Sequence, residues 1–149
     1  MENKQHRVLV CITAQSNSKR LMDCGYDTAE ACGGELHILH VLEGDSVFNN
    51  PDTPALVQNL FDYGAKKGGV IHAYCDNNVP ESIGRFAEKE KITKIILGEP
   101  PKEIDNPINH FKSIVKTLPD GIEIIILDRN VKNGTRSFKK NKDILAEVL

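Results

Sequence analysis

Few residues in this sequence have the types and spacing that chemistry needs. His37 and His40 lie three positions apart in the apolar run Glu35–Leu42. That run is short enough for a strand, and strand side chains alternate between faces, so the two rings point apart and cannot share a metal ion. His72, His110 and Cys75 meet only through tertiary folding. Isolated, satisfied histidines are the expectation. His40, near the carboxyl end of its strand, is the one placed to touch a ligand. Four cysteines are present, Cys11, Cys24, Cys32 and Cys75, and none forms a CxxC pair. Three sit in apolar surroundings and read as buried thiols. Cys75 is the thiol to test for reactivity, although the Asp76 carboxylate beside it works against a thiolate nucleophile. An acid–base centre would have to draw on Asp76, Glu99, His40 and Cys75, which are scattered.

The sequence signatures of common enzyme sites are missing. No GxGxxG follows an apolar run, and neither GxxxxGK[ST] nor GxSxG occurs. No acidic cluster of the kind a receiver domain needs ends the first strand, where Thr13-Ala14 stands.

The elements that must position these residues alternate. Arg7–Thr13 is an apolar run without strict alternation, which suits a strand covered on both faces. Lys19–Cys32 follows a Ser/Asn-rich start and places Leu21, Gly25, Thr28 and Cys32 on one side, with Met22 and Ala29 beside them. Gly33-Gly34 stops that helix. Glu35–Leu42 is a second strand. Thr53-Pro54 opens a helix carrying Leu56, Leu60, Phe61 and Gly64 on one face. Val70–Cys75 is a third strand. Asn78-Val79-Pro80-Glu81 joins a cap residue, a first-turn proline and an acid three residues after the cap. Ile83, Phe86 and Ala87 form the apolar stripe that follows. Thr93–Leu97, a helix from Asn106-Pro107 with Ile108, Phe111, Val115 and Leu118, and a last strand Ile122–Leu127 complete the series. Four strand–helix repeats closed by a strand predict an α/β domain: a parallel sheet with helices on both faces.

A length of 149 residues is that of one core, and the net charge of -2 gives no field to attract nucleic acid or an anionic membrane. No apolar run is long enough to span a bilayer. The polar start Met1–Arg7 does not read as a signal peptide. A cytoplasmic protein with reduced thiols is expected. Residues 1–128 form the expected domain. Residues 129–149 read as a tail, because Arg129–Lys142 holds six basic residues and no acid. A short helix with Ile144, Leu145 and Val148 apolar could end it.

In open parallel sheets, ligands bind beyond the carboxyl ends of the strands where strand order reverses. That rule selects Thr13, Ala14 and Gln15 after the first strand, His40 and Val41 at the second, Cys75 at the third and Gly98 at the fourth.

The text VLVCITAQSNSKRLM, GGELHILHVLE, VPESIGRFAEKEKITKIILGEP and GIEIIILD resembles the universal stress protein family, and within it the branch found in potassium-sensing histidine kinases. The resemblance runs from Val8 to Leu127. It implies a three-layer, five-stranded parallel sheet of order 3-2-1-4-5, a regulatory rather than enzymatic role, and in some members ATP or AMP as ligand. Where ATP-binding members carry an aspartate, Thr13 stands here. Gly98 matches the first glycine of the family's phosphate loop. Pro101 replaces the second, and Phe111-Lys112 stand in place of Gly-Ser/Thr. Ser113 supplies the hydroxyl only if one residue is inserted. Lys112 and Ser113 are therefore candidates for phosphate contact, in a degenerate loop. Pro100 and Pro101 have no amide hydrogen to offer a phosphate, and Glu99 and Asp105 add negative charge. Related kinase-type domains bind cyclic di-AMP, but the residue types for that are nearly all replaced.

The resemblance also implies that Ile122–Leu127 is a sheet edge. A long apolar edge invites pairing with another chain, so a homodimer through that strand is expected unless the tail folds back over it. The functional expectation is a non-enzymatic regulatory domain that senses a small ligand. A ligand-free homodimeric interaction module of the same fold is the alternative. No nucleic-acid, membrane or metal partner is expected.

Overall fold

The computed structural model describes residues 5–12, 18–42, 53–98, 107–128 and 135–140. Strands are β1 (Arg7–Ile12), β2 (Glu35–Leu42), β3 (Val70–Cys75), β4 (Lys94–Gly98), β5 (Glu123–Leu127) and β6 (Thr135–Lys139). Helices are α1 (Ser18–Cys32), α2 (Thr53–Lys66), α3 (Val79–Lys89) and α4 (Pro107–Thr117). The sheet order is β3-β2-β1-β4-β5-β6. The first five strands are parallel in the expected order, and β6 pairs antiparallel with β5.

The apolar periods explain the layers. Val8, Leu9 and Val10 are all fully buried, so β1 is covered on both faces. Leu9, Leu39, Ile95, Leu97, Ile124 and Ile126 face α3 and α4, where Ile83, Phe86, Ala87, Ile114, Val115 and Leu118 complete one core. Val8, Val10, Ile38, Ile96 and Ile125 belong to the other core, with Met22 and Ala29 of α1 and Leu60 of α2. The start of α3 follows its sequence signal. The Asn78 side chain accepts from the Glu81 amide at 3.1 Å and donates to the Glu81 carboxylate at 3.1 Å.

Two expectations about the end of the chain are corrected. The strand Ile122–Leu127 is not an open edge, because Leu127 through Glu123 pair with Thr135 through Lys139. The described part of the supposed tail is built into the sheet. Phe138 packs against the α3/α4 core. The Lys140 ammonium donates to the carbonyls of Lys116 and Leu118, at the end of α4. A short return from β5 permits only an antiparallel neighbour, since a parallel one needs a crossover of a dozen residues or more. Residues 129–134 and 141–149 lie outside the described residues.

Candidate functional site

The order reverses at β1, which has β2 on one side and β4 on the other. Register Val10↔Ile96 and Ile12↔His40 brings the carboxyl ends of β1, β2 and β4 to one edge. Thr13, Ala14 and Gln15, and the stretch from Glu99 to Asn106, lie outside the described residues. The described frame of the crevice is Ile12, His40, Val41 and Gly98.

His40 is 4% exposed. Its Nδ1 donates to the Ile12 carbonyl at 3.0 Å. A carbonyl only accepts, so in the neutral ring Nε2 is left as the acceptor. That nitrogen is buried and has no partner among the described residues. The ring edge meets Phe61 of α2 at 6.4 Å between centroids. An imidazole locked by its own strand neighbour, with an unspent buried lone pair, can receive one hydrogen from a ligand amine or hydroxyl.

Gly98 closes β4 on the other side of β1. A Cβ built there would lie 3.3 Å from the Leu21 side chain of α1. A side chain there would press on Leu21, which would have to give way by a few tenths of an ångström. Val41 packs against the α3/α4 core with its side chain half-buried. On α4, Lys112 is half-buried and Ser113 exposed.

Cys75 pairs in register with Leu42 of β2, beside Val41, but stands across the sheet from Gly98. β3 is separated from β4 by β2 and β1. At ~4.8 Å per strand that is about 14 Å. Cys75 is exposed and lines a cleft of about 270 Å³ with Tyr74, Asp76, Ser82, Arg85, Phe86 and Lys89. Asp76 is engaged there, accepting from Arg85 at 2.7 Å and from the Asn78 amide at 2.8 Å. Half-buried in the sheet, the Cys11 thiol is pushed up to about 12 by desolvation, which works against a thiolate. Burial likewise raises Cys24, more than its Thr28 hydrogen bond lowers it.

His37 and His40 do face opposite layers. His37 stacks on His72, with Nδ1 and Nε2 3.1 Å apart and Phe86 edge-on to both rings. Among the described residues, no group of three or more metal-ligating side chains converges. No described helix is long and apolar enough to cross a membrane.

Sequence reasoning missed a groove of about 840 Å³ on the α1 side. Arg20, Asp23, Cys24, Asp27 and Cys32 of α1 form one wall; Ile125, Leu127, Thr135 and the Lys94–Glu123 ion pair form the other. The Arg20 guanidinium donates to the Asp128 carbonyl at 3.2 Å. The polar helix positions of this wall look in sequence like a solvated face. The opposite wall is the face of β4 and β5, joined by Thr135 of β6.

No protein-family model and no curated protein matches the chain significantly. Solved structures match its fold. A universal stress protein solved in complex with cAMP superposes with a TM-score of 0.62 at 14% identity, covering 83% of this chain and 97% of that one. The fold is that of the universal stress proteins. The Archaeoglobus fulgidus protein in complex with dAMP superposes at 0.61 and 14% identity, covering 81% and 96%. A putative universal stress protein from Pseudomonas aeruginosa matches at 0.64 and 13% identity over 98% of this chain and 51% of its own length.

Proposed function

We propose that this chain is a divergent, cytoplasmic member of the universal stress protein family. In this reading it is a non-enzymatic regulatory domain that binds a small adenine-nucleotide-class ligand at the crevice of β1, β2 and β4. The observation that carries the reading is His40, whose buried Nε2 stands unspent beside Ile12 at the carboxyl edge of the sheet. A purine amine or a ribose hydroxyl has the hydrogen such an acceptor lacks. The structural neighbours solved with cAMP and dAMP support the ligand class.

Composition argues for a low-charge nucleotide. Between Gly98 and Pro107 the chain carries Glu99, Glu103 and Asp105 against Lys102 alone, and two prolines without amide hydrogens. Such a stretch is a poor cradle for a triphosphate. The link to the sensor-kinase branch rests on the sequence resemblance.

Calorimetry of the full chain with AMP, cAMP, ATP and cyclic di-AMP tests the reading. Saturable heat with AMP or cAMP and weaker heat with ATP is expected, with the heat lost in Gly98→Leu and reduced in His40→Phe. No heat from any of the four overturns it. Nucleotide turnover that disappears in Asp76→Ala would overturn the non-enzymatic part.

A further inference from the structure

The two edges of the sheet are built differently. β6 is guarded. Its sequence, Thr-Arg-Ser-Phe-Lys, carries two cations, a common way to keep an edge from pairing with another chain. β3 is unguarded. Its sequence, Val-Ile-His-Ala-Tyr-Cys, holds no acid, lysine, arginine or proline, and among the described residues it pairs only with β2. Val70 is 48% and Tyr74 41% exposed, and they are the exposed large apolar residues found among the described ones. Both lie on this one strand, on the same face, with His72 midway between them.

We propose that the chain forms a two-fold symmetric dimer in which β3 pairs antiparallel with β3 of a second copy, centred on His72. A two-fold axis perpendicular to the sheet keeps like faces together, so only residues on the same face can stand opposite. Centring on His72 sets Val70 against Tyr74 of the partner subunit, and Tyr74 against Val70 of the partner subunit. It also sets Ile71 against Ala73 and His72 against its own counterpart. Each exposed apolar side chain thereby covers the other, in a β-branched–aromatic cross-strand pair that favours antiparallel sheets.

The flanks agree with this register. Gly68 falls opposite Asp76, and Lys66 and Lys67 fall opposite Asn78 and Asn77, so no like charges meet. The cleft of about 270 Å³ beside Tyr74 and Phe86 runs along this edge. Tyr74 and Phe86 are 6.1 Å apart there, an apolar shelf for Val70 of the partner subunit. The dimer makes one continuous twelve-stranded sheet from two six-stranded ones. It leaves β6 and the nucleotide crevice untouched, and stands independently of the ligand reading.

Sedimentation velocity of the full chain over a concentration series tests the dimer. A concentration-dependent two-chain species is expected, weakened roughly tenfold or more by Tyr74→Lys. The register has its own test, in a Cys75→Ser background that removes the exposed thiol. Opposed Cα atoms in antiparallel pairs are about 4.5–5.5 Å apart, within disulfide reach. His72→Cys should therefore cross-link two copies on mild oxidation, and Ala73→Cys should not. A chain that is monomeric at every concentration, a dimer that Tyr74→Lys leaves intact, or equal cross-linking at both positions overturns the proposal.

Discussion

Single residues in this protein declare their roles by what they lack or share. His37 and His72 share one hydrogen bond between two rings, and burial holds both below the ordinary imidazole value of 6.5. For His37 burial outweighs the attraction of Glu35; for His72 burial acts together with the neighbouring His37 ring. The folded state therefore keeps both rings neutral. The unfolded chain takes up protons first, so this stability is complete above the unfolded value and is lost as pH falls below it. Thermal unfolding should be flat above about pH 7 and fall progressively below about 6.5. A His37→Gln/His72→Gln chain should show a shallower fall, and an unchanged slope would remove these rings as its cause. Asn78 is a simpler case. Its side chain makes two hydrogen bonds to Glu81, and Asn78→Ala should cost about 1 kcal/mol in urea unfolding. The Asn-to-Glu spacing announced that cap in the sequence. The unspent lone pair of His40 could not be read there, because it depends on Ile12, a residue from another strand.

At the level of elements, helix contact and strand pairing set the limits. α3 crosses α4 where a Cβ on Gly84 would lie 2.5 Å from the Thr117 carbonyl oxygen. Gly84→Ala must push the helices apart and should cost about 1–3 kcal/mol, read as a lower urea midpoint. β6 protects the apolar β5. Ending the chain after Gly134 should expose Ile124, Ile125 and Ile126 along an open edge and produce soluble aggregates by light scattering. A clean monomer would show that β6 is dispensable as a guard. Nine of the ten described elements were legible, because their apolar periods ran between clear caps and glycines. β6 was not, since Phe138 is its one apolar residue and the surrounding cations gave the stretch the look of a solvated tail. The Asn133-Gly134 pair before it was the signal available, a dipeptide common in chain reversals.

Across the whole molecule, stability should grade from centre to edge. β1 and β4 lie inside the sheet with Leu9, Val10, Ile95 and Ile96 fully buried, whereas the last three residues of β3 are exposed. Amide hydrogen exchange on dilute protein should be slowest in β1 and β4 and fastest in β3, with reversal of that order counting against this description. The layer plan was legible because strands and helices alternate, and the place of the crevice followed from the plan. The lateral order of the first five strands came from the family resemblance and not from local pattern, since it is written in long-range packing. One reversal of direction carries a practical corollary. β6 runs against its neighbours, so Lys140 sits level with Ile122, at the far end of the sheet from Gly98. At ~3.4 Å per residue the separation is about 17 Å along the strand axis. A fluorophore or surface tether joined beyond Lys140 starts from the side remote from the proposed ligand crevice, and so offers a way to immobilise the protein with that crevice open.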